Sequence, residues 1–225
     1  LIAKKGDVKE VVFTIKPTKK ASEGVLTSIV TSNGKIFDKE LTTIHYAHIP
    51  KQTVLSNSQV KVVRLDIKKA NKKIGYIQGA GDLVPESLRQ IGYEVTILKP
   101  SFINEKLLEK FDAIVIGIRA YNTIKLLQFK QDILLNFVSK GGTMVVQYNT
   151  NRNVNIAPPY PLNLSRDRVT DEFSKVTLLA KDHSILNYPN KITQKDFKGW
   201  VQERGLYFPN EWSSAYTPIL SMNDK

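Results

Sequence analysis

The sequence predicts an α/β fold over residues 74–225, a parallel sheet with flanking helices, preceded by a small β-sandwich-like segment over residues 1–68. Three observations predict it. From Ile74 to Tyr148, short apolar runs alternate with stretches of helical period, the rhythm of strand–helix–strand crossovers. Residues 113–118 are a continuous, largely β-branched run, as in a strand buried on both faces. Before residue 68 the apolar residues fall in short clusters separated by turn signals such as Asn33-Gly34, which suits small antiparallel strands.

The elements follow in chain order. Val8, Val12 and Ile15 lie in an extended stretch, and residues 25–30, 36–37, 41–46 and 60–67 supply further strands. They are few for a complete sandwich. Residues 69–73 are polar and without period, and read as a linker. Residues 74–78 form the first strand of the second domain. Pro85 suits the first turn of a helix, where its missing N–H costs nothing, and Gly92 closes that helix. Residues 93–98 form the next strand. Ser101 is the expected cap of a helix carrying Leu107, Leu108 and Phe111. Residues 126–138 form an amphipathic helix stopped by Gly141-Gly142, and residues 143–148 the fourth strand. Residues 149–175, rich in Asn, Pro, Arg and Asp, form an insertion too long for an ordinary connection. Residues 176–180 and 201–208 read as further strands. Leu1 stands where an initiator Met would, with no charged-then-apolar leader after it, so a segment of a longer chain is expected.

Composition excludes several classes. There is no cysteine, hence no disulfide, thiolate metal site or cysteine nucleophile. A zinc site would have to gather His45, His48 and His183 from distant parts of the chain, so neither a metal nor a cofactor is expected. No apolar run is long enough to span a membrane. The net charge of +12 is carried mainly by scattered lysines such as Lys19-Lys20 and Lys68-Lys69. A nucleic-acid binder would concentrate arginine and aromatic residues on one element; a solvated lysine surface is expected instead.

In an open parallel sheet, ligands bind beyond the carboxyl ends of the strands. That rule selects three loops: Gln78-Gly79-Ala80-Gly81-Asp82, Gly117-Ile118-Arg119-Ala120-Tyr121-Asn122 and Gln147-Tyr148-Asn149-Thr150-Asn151-Arg152. Candidate ligand-binding residues are Gly79, Asp82, Arg119, Tyr121, Asn122, Gln147, Asn149 and Arg166. Amides, carboxylates and guanidinium groups give the mixed donors and acceptors that a polar ligand needs. Arg166-Asp167-Arg168 is also expected to staple the insertion by ion pairs. Gly79-Ala80-Gly81 lacks the third glycine of a dinucleotide fingerprint, and reads as a tight turn. Asp182-His183 or Glu203 could serve a hydrolase as acid and base, though His183 also suits a local cap. Trp200 and Trp212 could stack on a sugar ring or pack at an interface. An exposed apolar patch at residues 156–161 would support a subunit interface.

Several strings carry a family resemblance. Gly75-Tyr76-Ile77-Gln78-Gly79-Ala80-Gly81-Asp82, Ile116-Gly117-Ile118-Arg119-Ala120-Tyr121-Asn122, Leu164-Ser165-Arg166-Asp167-Arg168-Val169-Thr170 and Trp200-Val201-Gln202-Glu203-Arg204-Gly205-Leu206-Tyr207-Phe208 resemble the C-terminal region of LmbE-like (PIG-L family) deacetylases. The stretch from Asp182-His183-Ser184 to Tyr207-Phe208 is similar to the ThuA-like branch of the class I glutamine amidotransferase superfamily. The resemblance implies a flavodoxin-like, amidotransferase-like domain downstream of a zinc-dependent sugar de-N-acetylase domain. It also implies a saccharide or other polar ligand, that upstream domain as partner, and a periplasmic or cell-surface location. The zinc motif of the deacetylase is absent here. In amidotransferases the sharp turn after the central strand holds the nucleophilic cysteine; the matching turn here carries Arg119, which cannot form a thioester. A non-catalytic binding or interdomain module is therefore expected, with a hydrolase or an oligomerisation scaffold as alternatives.

Overall fold

Strands β1 (Ser22–Thr27), β2 (Val30–Ser32), β3 (Lys35–Phe37), β4 (Lys39–Ile44), β5 (Gln52–Asn57) and β6 (Gln59–Arg64) open the chain. The computed structural model describes residues 6–20, 22–152, 154, 156–199 and 205–222. It divides into two units, the first ending at Ile67 and the second beginning at Lys68. In the first unit the strands form three separate antiparallel pairs, β1 with β6, β2 with β3 and β4 with β5. Asn33 and Gly34, with φ 49° and 74°, make the tight turn of the β2–β3 hairpin. No described residue of this unit belongs to the buried core, and Val25, Phe37 and Leu55 remain exposed. Strands form near residues 25–30, 36–37, 41–46 and 60–67, but not around Val8, Val12 and Ile15, and β5 is an addition; among the described residues the packed interior of a sandwich is not present.

The second unit is built on a four-stranded parallel sheet. Its strands are β7 (Lys73–Ile77), β8 (Glu94–Ile97), β9 (Ala113–Ile116) and β10 (Thr143–Val146). The spatial order is β10-β9-β7-β8, so the first strand of the unit lies inside the sheet between the second and the third. The β-branched and aromatic residues of β7 and β9 are buried on both faces, as their unbroken apolar runs require. One face packs Ile77, Ile114 and Ile116 against Leu98, Leu108, Leu127 and Leu134. The other packs Ile74, Tyr76 and Val115 against Val84, Leu88, Tyr93 and Val95. Each fully buried aliphatic side chain contributes about 1.5–3 kcal/mol relative to exposure. The second face is covered less completely toward β10, where Val145 is 47% exposed.

The crossover helices follow the sequence with two corrections. Helix α1 (Val84–Gln90) begins with Pro85 in its first turn, and Gly92 follows at φ 92°. Helix α2 (Glu105–Leu108) is capped by Asn104, whose side chain accepts from Leu107 N at 2.9 Å; Ser101 instead lies in a 3-10 turn at Pro100–Phe102. The turn forms because Pro100 fixes its own φ and removes a donor. After α3 (Ala120–Thr123), the helix expected over residues 126–138 is broken. A 3-10 turn at Lys125–Phe129 precedes α4 (Gln131–Ser139), and Lys130 at the break donates from Nζ to Ile103 O at 2.9 Å.

Beyond β10 the insertion and the C-terminal segment pair in short antiparallel ladders. Strand β11 (Leu162–Leu164) pairs with β15 (Pro209–Trp212), β12 (Arg168–Val169) with β14 (Gly205–Leu206), and β13 (Thr177–Leu178) with β16 (Leu220–Ser221). Ile156 packs on the main core, leaving residues 157–161 as the exposed part of the expected patch. Residues 201–204 lie outside the described residues. No described helix is long and apolar enough to cross a membrane.

The start of β7 is pinned by one carboxylate. Asp112 accepts from Lys72 Nζ at 2.7 Å and from Lys73 N at 2.9 Å. The Lys72 hydrogen bond, then the Lys73 N–H, hold its pKa below the ordinary 3.8. The folded state therefore binds this proton less readily than the unfolded one. The contribution is present above the unfolded pKa and is lost as pH falls through the folded value. Urea midpoints at pH 7 and pH 3 are expected to differ more for wild type than for Asp112→Asn; equal drops would contradict the pin.

Candidate functional site

Strand order reverses beside β7, since α1 leads to β8 on one side and α2 leads back across to β9 on the other. Such a reversal opens a crevice between the two carboxyl ends. Here the crevice is closed. Ala80 N donates to Ile118 O at 2.8 Å, and Gly117 N donates to Ile77 O at 2.8 Å. The two loops lie so close that a Cβ on Gly79 would stand 2.0 Å from Ile118 O. Gly79 is thus required by the approach of two backbones.

Asp82 locks the same junction. Its carboxylate accepts from Tyr76 Oη at 2.6 Å, from Val84 N at 3.1 Å and from Ile118 N at 3.3 Å. Gln147 Nε2 in turn donates to Tyr76 Oη at 2.7 Å. Burial first, and then the Asp82 hydrogen bond, push the Tyr76 pKa well above the ordinary phenol value. Asp82, Tyr76 and Gln147 join all three carboxyl-end loops into one polar knot.

Tyr121 and Asn122 are also engaged internally. Tyr121 Oη donates to Gln131 Oε1 at 2.9 Å, and Gln131 Nε2 donates to Ala157 O at 3.2 Å, anchoring the insertion. Burial raises the Tyr121 pKa to about 12. Asn122 Nδ2 donates to Thr150 O at 3.3 Å and Arg152 O at 2.8 Å, while its Oδ1 accepts from Thr150 N at 3.0 Å. The loop after β10 is therefore tied to the turn after β9.

Arg119 differs from these residues. It leaves β9 in the left-handed region, φ 55° and ψ 19°, at the head of α3. A bulky residue there is strained by about 1–2 kcal/mol. Its backbone is fixed, with N donating to Tyr148 O at 2.7 Å and O accepting from Thr123 Oγ1 at 3.0 Å. Its side chain is exposed and makes no hydrogen bond or ion pair with a described residue.

Beside it stand two tyrosines. The rings of Tyr148 and Tyr207 lie 6.1 Å apart, tilted by 40°. Burial, and then the nearby Tyr207, raise the Tyr148 pKa, while the Arg119 charge pulls it down. Tyr207 is itself left-handed, at φ 57°. Of the three described non-glycine residues with positive φ, two therefore flank Tyr148. Tyr207 arrives there through the pairing of Arg168 with Leu206, continued by Tyr207 N donating to Asp167 O at 3.1 Å. Arg166 lies on the paired connection, exposed. The expected ion pairs within Arg166-Asp167-Arg168 are not formed; backbone hydrogen bonds hold this segment instead.

The loop after β10 also carries unmet acceptors. Asn149 Nδ2 donates to Gln147 O at 2.8 Å, but Asn149 Oδ1 and Asn151 Oδ1 are buried with no partner. An unpaired buried acceptor costs roughly 1–3 kcal/mol. The strand-end rule places Tyr148 in one of the three selected loops without a role and leaves Tyr207 out; the signal for Arg119 is its position just past a buried strand.

Other candidates fall elsewhere. His183 Nδ1 accepts from Ile185 N at 3.2 Å and caps α5 (Ser184–Asn187). Glu203 and Trp200 lie outside the described residues, and Trp212 is 44% exposed. No group of three or more metal-ligating side chains occurs among the described residues. An open cavity of about 880 Å³ is lined by residues from Asp112 and Thr143 to Val145 and Gln147, and Arg119 is not among them.

The second unit is thus a parallel α/β sheet whose carboxyl-end crevice is closed, with the exposed Arg119 bonded through its backbone to Tyr148. No protein-family model, curated protein or solved structure matches the chain.

Proposed function

We propose that residues 74–225 form a non-catalytic ligand-binding module with a flavodoxin-like sheet, related to the class I glutamine amidotransferases and belonging to a LmbE-like sugar de-N-acetylase. The observation that carries this reading is Arg119. It occupies a left-handed, strained position at a strand-to-helix turn, the kind of elbow that holds a nucleophile in enzymes of open α/β sheets. A guanidinium there cannot attack a carbonyl but can hold a ligand. The strand order supports the sheet assignment, since it reproduces the first four strands of the 2-1-3-4-5 order. The ligand is a saccharide or another small polar molecule. A periplasmic or cell-surface location, with an upstream deacetylase domain as partner, belongs to the same reading.

A thermal-shift screen of the whole chain against N-acetylated and free amino sugars, glycan fragments and common metabolites tests it. At about 100 times Kd, a ligand adds ~2.7 kcal/mol, which raises the melting temperature of a domain this size by roughly 5–10 °C. The shift is expected to vanish in Arg119→Ala and to shrink in Asn149→Ala. An unchanged shift in Arg119→Ala would move the ligand elsewhere. No shift with any compound, together with co-purification of a separately expressed deacetylase domain, would replace ligand binding with interdomain docking.

A further inference from the structure

We infer that the β10 edge of the parallel sheet is an interface between two copies of this chain, which pair antiparallel across it and join their sheets into one. The inference stands apart from the Arg119 reading and needs no ligand.

The sheet has two edges, and the chain protects only one. At the β8 edge, Leu98 N donates to Tyr76 O at 2.7 Å, so by the period of a strand Val95 and Ile97 turn their backbone groups outward. The outward Val95 O accepts from Arg89 Nη2 at 3.1 Å, and Lys99-Pro100 follows the strand closely. Charged side chains and proline are common means of blunting a free edge. At the β10 edge, Thr143 N donates to Asp112 O at 3.2 Å and Gln147 N to Ile116 O at 3.0 Å. Those residues face β9, so Met144 and Val146 turn their N–H and C=O groups outward. Among the described residues β10 pairs with β9 alone, and no described loop or turn bonds to the backbone of Met144 or Val146. From Gly141 to Asn151 there is neither a charged residue nor a proline. Val145 is 47% exposed and Val146 44%.

The partner follows from the register. A strand that fits this edge must offer donors and acceptors at the spacing of Met144 and Val146. A second β10, turned end for end about a two-fold axis at Val145, does so. Met144 then stands opposite the partner's Val146 and exchanges both N–H···O bonds with it, and the axis repeats the exchange. Val145 meets its own copy in a non-hydrogen-bonded pair, where side chains come closest. Thr143 stands opposite the partner's Gln147. The seam is uncharged, so no like charges meet in it. Symmetry supplies this match without any further sequence requirement, as in other two-fold dimers. One strand pair is a small interface, so the association is weak and reversible.

Sedimentation velocity of the whole chain over rising concentration is expected to show a monomer–dimer equilibrium. Physiological ionic strength screens charges more than about 8 Å apart, which weakens the repulsion of the scattered lysines but not a contact pair in the seam. Val145→Lys and Val145→Glu each set like charges opposite each other. Each alone is expected to lower the association constant about tenfold or more, and an equal mixture of the two to recover it. The chain has no cysteine, so Val145→Cys gives an independent reading. The Cα atoms of a non-hydrogen-bonded pair lie about 4.5 Å apart, within disulfide reach. An added oxidant is expected to link this variant into a dimer faster than Ile97→Cys, whose site on the blunted edge is similarly exposed, at 42%. A chain that stays monomeric at its highest soluble concentration would overturn the inference and leave the edge to a strand of another protein. A dimer that both charge variants leave intact, a mixture that fails to recover association, or equal cross-linking of the two cysteine variants would overturn it by moving the interface elsewhere. None of these outcomes bears on ligand binding at Arg119.

Discussion

Gly79→Ala is expected to destabilise the second unit by about 3 kcal/mol or more, a fall of roughly 10 °C in melting temperature. The methyl group would stand 2.0 Å from Ile118 O and 2.8 Å from Ala120 N. Both are backbone atoms in the central turn, held there by the Ala80–Ile118 hydrogen bond, so neither can rotate aside as a side-chain tip would. Gly81, two residues on, supplies the control. It has φ 96° and open space around its Cβ direction, so Gly81→Ala should cost only the left-handed strain, about 1 kcal/mol. Urea unfolding followed by far-UV circular dichroism distinguishes the two. A smaller loss for Gly79→Ala than for Gly81→Ala would mean that close approach does not fix this junction.

Asp82→Ala is expected to cost about 3 kcal/mol, because it strands several donors at once. Tyr76 Oη, Val84 N and Ile118 N all donate to its carboxylate, and each donor left buried without a partner costs on the order of 1–3 kcal/mol. Exposure of part of this cluster to water keeps the sum below its upper limit. Asp82→Asn should be intermediate, since one oxygen acceptor remains. The alkaline limb gives an independent reading. The folded Tyr76 pKa lies above the ordinary 10.0 through burial and then the Asp82 hydrogen bond. Its contribution to stability is present below the unfolded pKa and is lost as pH rises through the folded value. Asp82→Ala should therefore make stability fall less steeply above pH 10, a change seen by repeating the urea melts at pH 9 and pH 11. An unchanged alkaline slope would mean that Asp82 does not set the Tyr76 proton affinity.

These two residues also mark what the sequence could and could not convey. The two central strands of the parallel sheet were legible because residues 74–77 and 113–118 are unbroken apolar runs, and a strand buried on both faces needs no other signal. Pro85 and Gly92 marked the ends of α1 because their constraints are local. The break at Lys130 was not legible, since the amphipathic pattern runs through it: Leu127 and Leu134 are both buried in one cluster. The site was legible as three loops, not as roles. Gly79, Asp82 and Gln147 looked like ligand groups, but their partners are each other's loops, which only the packed sheet reveals. Tyr207 could not be placed near Arg119 from sequence, because it arrives through a two-residue ladder between Arg168 and Leu206. Such short, distant pairings carry no period of their own. Arg119 itself could be flagged by position, but its left-handed backbone could not, since arginine has no preference for that region.

The account holds that Arg119 is retained at a strained position for what its side chain binds and not for the fold. The most direct measurement is the urea unfolding free energy of Arg119→Gly beside wild type, without ligand. Glycine relieves about 1–2 kcal/mol of left-handed strain and gives back about 0.4–1 kcal/mol through the looser unfolded chain. The variant should therefore be more stable by about 0.5–1 kcal/mol, while losing its response to any ligand found in the thermal-shift screen. A variant less stable than wild type would show that the guanidinium holds the fold together, and would contradict the account.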